Sequence, residues 1–134
     1  MLLIPAEVTP APPGGGPSIG RRVLVVEDVP DARTALDRML RRCGLQTSCA
    51  ASLADALRLL DWRPDTIVLD LMLPDGNGVE VLRRVRTSGM AIQVAVVTAT
   101  SDDRLLDEVQ ALKPDAVFRK PLEWNDLCKW VAER

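Results

Sequence analysis

The sequence has 134 residues, which is the size of one average domain and too short for two. It has 17 Lys and Arg against 19 Asp and Glu, so there is no basic excess for direct binding of nucleic acid. Histidine is absent, which excludes a Ser-His-Asp triad, a His-ligated zinc site and a phosphohistidine formed on this chain. Any chemistry must use carboxylates, hydroxyls, ammonium groups or a hard metal ion.

The first 20 residues differ in composition from the rest of the chain. They hold five of the ten prolines and four of the eight glycines, without a periodic apolar pattern. We interpret residues 1–20 as a flexible leader or linker and residues 21–134 as the folded domain.

The three cysteines, Cys43, Cys49 and Cys128, lack CxxC spacing. We expect reduced thiols that are buried as small hydrophobic residues, which indicates a cytoplasmic protein. No stretch approaches the ~20 apolar residues that cross a bilayer, so we expect no membrane partner.

From residue 21 onwards the hydrophobic pattern alternates between strand and helix. A strand at 23–26 precedes a helix through 32–43 that Gly44 closes, and a strand at 45–50 precedes a helix capped by Ser52. A strand at 66–69 ends on Asp70, and a loop at 73–78 leads into a third helix. A strand at 92–97, a helix that begins at Ser101 or Asp102, a strand at 116–119 and a helix over about 123–132 follow.

Five strand–helix units predict an α/β fold with a single doubly wound, five-stranded parallel sheet and helices on both faces. The first, third and fourth strands are nearly all apolar, as central strands are, whereas the second and fifth are shorter or more polar. Right-handed crossovers then favour the flavodoxin-like strand order 2-1-3-4-5. In such sheets ligands bind beyond the carboxyl ends of the strands, where the order reverses between strands one and three.

Polar side chains stand at these carboxyl ends. Glu27 and Asp28 follow the first strand and Asp70 follows the third, so neighbouring strands ~4.8 Å apart would crowd three carboxylates together. An all-oxygen set of this kind favours Mg²⁺. Thr98 ends the fourth strand with a hydroxyl, and Lys120 ends the fifth with a positive charge. The set suits phosphoryl transfer, with Asp70 as the candidate nucleophile for an aspartyl phosphate.

Each of these residues also has a simpler interpretation. An Asp at a strand end is often a helix cap or turn residue, and the same holds for a threonine hydroxyl. A lysine before a proline is usually just exposed. Their joint occurrence at consecutive strand ends is what favours a functional site.

The motifs at these positions resemble the receiver domain of bacterial two-component response regulators. The matching segments are VLVVED at 23–28, VLDLMLPDGNG at 68–78, VTA at 97–99 and KP at 120–121. The resemblance covers residues 21–134 in the family's order and spacing. It implies that Asp70 accepts a phosphoryl group from a phosphohistidine on a sensor histidine kinase or a histidine phosphotransfer protein, in an Mg²⁺-dependent reaction.

The resemblance also implies the metal ligands. Asp28 and Asp70 bind Mg²⁺ directly, the backbone carbonyl of Met72 is the third protein ligand, and Glu27 acts mainly through bound water. The chain is then a signalling phosphoacceptor rather than an enzyme, since it catalyses only its own phosphorylation and dephosphorylation. A homodimer through the last two helices is an arrangement that the resemblance allows.

At the phosphoryl group, the resemblance implies that Thr98 and Lys120 contact the oxygens and that the small Ala99 leaves room. One position departs from the family. A Tyr or Phe usually stands three residues before the lysine and couples to the threonine, but this chain has Val117 there. Because successive side chains of a strand alternate, we expect the neighbouring Phe118 to point to the opposite face. The threonine–aromatic coupling is therefore not expected here.

Other interpretations remain open on the sequence alone. A last helix that ends near Arg134 leads us to expect no attached output module, which fits a stand-alone regulator or the excised receiver of a hybrid histidine kinase. A receiver-like binding module that has lost phosphorylation is a different class. A phosphohydrolase of the haloacid dehalogenase type also uses a strand-end Asp, but it needs a second acid where this chain has Met72.

Overall fold

The structure is a computed structural model that describes residues 21–134. The leader or linker that we predict for residues 1–20 lies outside the described residues. The strands are β1 (Arg22–Val26), β2 (Gln46–Ala50), β3 (Thr66–Asp70), β4 (Met72–Leu73), β5 (Gly76–Asn77), β6 (Gln93–Thr98) and β7 (Ala116–Arg119). The helices are α1 (Pro30–Arg42), α2 (Leu53–Arg58), α3 (Val79–Thr87), α4 (Asp103–Ala111) and α5 (Trp124–Ala132), and a 3₁₀ turn at Leu59–Trp62 continues α2.

Five strands form a parallel sheet in the order β2-β1-β3-β6-β7. This confirms the predicted order 2-1-3-4-5, since the short strands β4 and β5 form a separate pair. The central strands β1, β3 and β6 are buried over nearly their whole length, whereas β2 and β7 at the edges are partly exposed. Val26 of β1 pairs with Leu69 of β3, so Glu27 and Asp70 leave the sheet at the same level.

Helices cover both faces of the sheet. Leu24 and Val26 of β1 face the layer that includes α2, α3 and α4, whereas Val23 and Val25 face α1 and α5. The alternation along one strand therefore supplies both hydrophobic cores. Each large side chain that is fully buried, such as Leu82 of α3, contributes about 1.5–3 kcal/mol to stability.

Most predicted helix ends are confirmed. The Ser52 hydroxyl accepts the N–H of Asp55 at 3.2 Å, as expected for the cap of α2. The Asp102 carboxylate accepts the N–H groups of Arg104 and Leu105, so Asp102 rather than Ser101 caps α4. Gly44 follows α1 with a φ of 85°, a left-handed conformation that glycine adopts without strain.

Two expectations require correction. The segment predicted as a loop at 73–78 contains three of the four residues of an antiparallel pair, in which Met72 pairs with Asn77 and Leu73 with Gly76. Strands of two residues are too short to leave a periodic signal in the sequence. The prediction that all three cysteines are buried was wrong, because the thiols are free but only Cys128 is buried. Cys43 stands just past the end of α1, and Cys49 lies on the edge strand β2.

The longest helix of residues 21–134, α1, has 13 residues. No helix in this range combines the length and the hydrophobicity that crossing a bilayer requires.

Candidate functional site

An acid cluster lies at the carboxyl edge of β1 and β3. Glu27, Asp28 and Asp70 each offer a carboxylate oxygen, and these oxygens lie within 4.8 Å of one another. Glu27 and Asp70 are each only 5% exposed, whereas Asp28 is half-buried. The structure therefore brings together the three carboxylates that the strand order predicted to meet.

Lys120, directly after β7, supplies the positive charge at this edge. Its Nζ donates to Asp70 Oδ2 at 3.0 Å and lies 3.4 Å from Glu27 Oε1. Burial by itself would lower the pKa of Lys120, but the hydrogen bond and charge of Asp70, with the charge of Glu27, outweigh it and raise that pKa. The lysine is therefore held in its charged form beside the carboxylates.

The surroundings of Glu27 change the pKa of its carboxylate. Its pKa is raised above the ordinary value, first by burial and also by the neighbouring charge of Asp70. The N–H of Val29, which donates to Glu27 Oε2 at 3.2 Å, and the charge of Lys120 act in the opposite direction. Burial and Asp70 together therefore outweigh Val29 and Lys120 in setting the pKa of Glu27, and a bound cation would favour its charged form.

The connection after Asp70 is closely packed. The N–H of Met72 donates to Asp70 Oδ1 at 3.0 Å, and the N–H of Gly78 donates to the Leu71 carbonyl at 2.8 Å. A Cβ at position 78 would lie 2.2 Å from the carbonyl oxygen of Asp70, so only glycine fits there. Met72 itself is exposed, with 60% of its surface accessible on the rim of the site.

Thr98 lies at the end of β6, as predicted, and is fully buried. Its hydroxyl oxygen accepts the N–H of Thr100 at 3.0 Å. Within residues 21–134, no hydrogen bond connects Thr98 to the acid cluster in this state. This local bond is the turn contact that the simpler interpretation of a threonine at a strand end allows.

Val117 stands where the receiver family that the sequence resembles usually has an aromatic residue, and its side chain and that of Phe118 lie on different faces of the sheet. Val117 packs against the core beneath α2, α3 and α4, whereas Phe118 packs on the other face and meets Trp130 edge-on, with ring centroids 6.3 Å apart. This confirms that the two side chains face opposite sides of the sheet. The aromatic side chain is therefore on the face away from Val117.

Two features of the site were missed at the level of sequence. Arg33 of α1 donates to the carbonyl of Glu27 at 3.0 Å and lies 3.4 Å from that of Asp28, so it braces the backbone that carries both acids. A cavity of about 170 Å³ opens beside the cluster, between α1 and the segment that joins β7 to α5. Its walls include Leu122 and Trp124. Because these residues are distant along the chain, only the fold brings them to the acids.

The donor set fits a magnesium ion. Three carboxylates offer hard oxygen ligands, and the described residues place no thiol among them. The neighbouring charge of Asp70, which adds to burial in raising the pKa of Glu27, is one that a divalent cation would offset.

Comparison with known proteins identifies the family of this chain. The family described as the response regulator receiver domain matches residues 23–132. The chain belongs to this family. It is a receiver domain of two-component response regulators, with the doubly wound fold expected for that family.

Individual proteins of known name or structure are similar to this chain over most of its length. The transcriptional regulatory protein AfsQ1 of Streptomyces coelicolor is 43% identical over 95 residues, which cover 70% of this chain and 41% of that protein. Sporulation initiation phosphotransferase F of Bacillus subtilis is 28% identical over 110 residues, covering 81% of this chain and 89% of that protein. A response regulator receiver protein from Pseudomonas putida has a TM-score of 0.79 at 25% identity, covering 86% and 98% of the two chains. The receiver domain thus spans about two fifths of AfsQ1 but most of the sporulation protein.

Proposed function

We propose that Asp70 is the phosphoacceptor of this receiver domain and that its phosphorylation depends on Mg²⁺. The observation that carries the proposal is the convergence of the acid cluster with Lys120, whose Nζ lies 3.0 Å from Asp70 Oδ2. Asp70 is the carboxylate nearer to Lys120, at 3.0 Å against 3.4 Å for Glu27, and it also accepts the backbone N–H of Met72.

The reaction is transfer of a phosphoryl group from a phosphohistidine. A carboxylate oxygen of Asp70 forms the new P–O bond while the P–N bond of the donor breaks, and its electron pair returns to the donor imidazole. Lys120 balances negative charge on the transferred group. Thr98 is proposed to contact a phosphoryl oxygen. Its hydroxyl accepts the N–H of Thr100 and keeps its own proton to donate to that oxygen.

Asp28 and Asp70, with the Met72 carbonyl, would hold the magnesium ion, and Glu27 would act mainly through bound water. When bound, the ion supplies charge neutralisation for the phosphoryl oxygens. Arg33 keeps the backbone of Glu27 and Asp28 in place through its bonds to their carbonyls.

The proposal includes the partners and the limits of the activity. The donor is a histidine kinase or a histidine phosphotransfer protein, because a chain without histidine cannot form its own phosphohistidine. The domain would catalyse only its own phosphorylation and dephosphorylation, act in the cytoplasm, and signal by changed partner binding without direct contact with nucleic acid or membrane. A homodimer through α4 and α5 is one form of that signalling.

Incubation with acetyl phosphate and Mg²⁺, followed by intact-mass measurement, tests the proposal. We expect a gain of one phosphoryl mass that is lost in Asp70→Asn and without Mg²⁺. Asp107→Asn, an exposed carboxylate of α4, is the matched control and should retain the adduct. An unmodified wild-type protein would overturn the proposal in favour of a binding module, and sustained turnover of phosphomonoesters would overturn it in favour of a hydrolase.

A further inference from the structure

The hairpin that follows Asp70 is fastened to the start of α2. Asp75, at the turn between β4 and β5, accepts the N–H of Leu53 on Oδ1 at 2.6 Å and the N–H of Ala54 on Oδ2 at 3.0 Å. These two bonds hold the pKa of Asp75 below its ordinary value. Both donors belong to the first turn of the helix, where backbone N–H groups lack partners within the helix.

A second contact supports the same attachment. A Cβ at Gly76 would lie 2.8 Å from Leu53 Cδ2, so the backbone of the hairpin packs directly against the first side chain of α2. The helix already has its own cap, because the Ser52 hydroxyl accepts the N–H of Asp55. Asp75 is therefore an additional acceptor, contributed by a segment that lies 22 residues away from Leu53 along the chain.

The hairpin formed by β4 and β5 contacts the acid cluster through Met72. Met72 pairs with Asn77, and the N–H of Met72 donates to Asp70 Oδ1. At the other end, α2 is anchored in the core through the fully buried Ala56. The bonds of Asp75 therefore connect a fixed helix to the short strand whose backbone adjoins the proposed phosphoacceptor.

We infer that Asp75 is a positioning residue for the metal site, because it fastens the hairpin that carries the Met72 carbonyl. This inference rests on the proposed function only in taking that carbonyl as a ligand. Without the two bonds of Asp75, the hairpin has more conformational freedom in the metal-free protein. Metal binding must then restrict this freedom, which costs binding free energy. Weaker Mg²⁺ binding follows, while the reaction at saturating Mg²⁺ is retained.

Two variants separate positioning from helix capping. Asp75→Ala removes the two hydrogen bonds between the hairpin and α2. Ser52→Ala removes the helix's own cap and leaves those two bonds in place. Calorimetric titration with Mg²⁺ measures affinity independently of phosphorylation. We expect Asp75→Ala to bind about tenfold more weakly, at the lower end of the effects seen for residues that support metal ligands. Ser52→Ala should bind as the wild type does, although both variants unfold at lower denaturant concentration.

Three further measurements complete the test. Asp75→Asn keeps one acceptor oxygen and should bind Mg²⁺ with intermediate affinity, and it serves if Asp75→Ala does not fold. Hydrogen exchange at the amide of Met72 should be faster in Asp75→Ala than in Ser52→Ala. With acetyl phosphate, Asp75→Ala should need more Mg²⁺ for half-maximal phosphorylation but reach a rate close to that of the wild type at saturation.

Equal Mg²⁺ affinities in Asp75→Ala and Ser52→Ala would overturn the inference. Loss of the phosphorylation rate at saturating Mg²⁺ would also overturn it, since positioning of a metal ligand predicts recovery. Failure of the proposed function is distinguishable, because it would leave the wild-type protein without an adduct whatever its Mg²⁺ affinity.

Discussion

Gly78→Ala tests how tightly the connection between β3 and α3 must close around Asp70. The glycine has an ordinary backbone conformation, with a φ of −59°, so alanine introduces no dihedral strain. The difficulty is space, because its Cβ would lie 2.2 Å from the Asp70 carbonyl oxygen and 3.0 Å from the Cα of Leu71. The first distance is more than an ångström shorter than the 3.4 Å at which ordinary contact begins.

The expected cost follows from the kind of atoms in the way. Overpacking costs about 1–3 kcal/mol, and the upper end applies here because backbone atoms cannot rotate aside as a flexible side chain can. We expect Gly78→Ala to lose about 3 kcal/mol of unfolding free energy, which lowers Tm by about 12 °C or more for a domain of this size. Since small domains have about 5–15 kcal/mol in total, the variant should still fold.

Urea unfolding followed by tryptophan fluorescence, with and without Mg²⁺, measures both consequences. Gly89→Ala is the control, since position 89 has open space but a φ of 68°. Its left-handed conformation should cost about 1 kcal/mol and leave Mg²⁺ binding unchanged. Gly78→Ala should also bind Mg²⁺ more weakly, because relief of the clash moves the backbone of Asp70. A Gly78→Ala variant as stable as Gly89→Ala would refute this reasoning.

Two further variants test the electrostatics. Asp28→Asn removes one of three like charges within 4.8 Å, so without metal it should raise the unfolding free energy by about 1 kcal/mol. Thermal melts in EDTA and in Mg²⁺ should also show that Mg²⁺ does not raise the Tm of Asp28→Asn. A Tm of Asp28→Asn below that of the wild type in EDTA would contradict the reasoning. Asp37 accepts from Thr47 and Arg41, and these bonds outweigh burial to hold its pKa below the ordinary 3.8. The stability it contributes is therefore present above pH 3.8 and lost as the pH falls through the folded-state pKa. The free-energy difference between wild type and Asp37→Asn should shrink only below that pH, and a difference that does not depend on pH would exclude the assigned cause.

Much of the fold was predictable because its signals are local. The apolar runs of β1 and β3 indicated strands buried on both faces, and the strand–helix alternation restricted the connections to right-handed crossovers. These two facts lead to the strand order, and the order brings Glu27 and Asp70 to one edge. The candidate site followed from the sequence because Glu27, Asp70, Thr98 and Lys120 each end a strand or directly follow one.

Other features depend on contacts that leave no local pattern. Ser101 and Asp102 are both good capping residues, and only the bonds to Arg104 and Leu105 distinguish them. The exposure of Cys49 depends on β2 lying at the edge of the sheet. The attachment of Asp75 to α2 joins segments whose proximity results from packing.

The sequence by itself determined which chemical groups this receiver domain has and where along the strands they stand. It has carboxylates, a hydroxyl and an ammonium group at strand ends, and no histidine that could act as the donor. The tertiary structure alone decided the distances, such as the 3.0 Å between Lys120 and Asp70. The physical reason is that periodicity and capping depend on near neighbours, whereas the approach of residues 50 positions apart depends on how helices pack across the whole sheet.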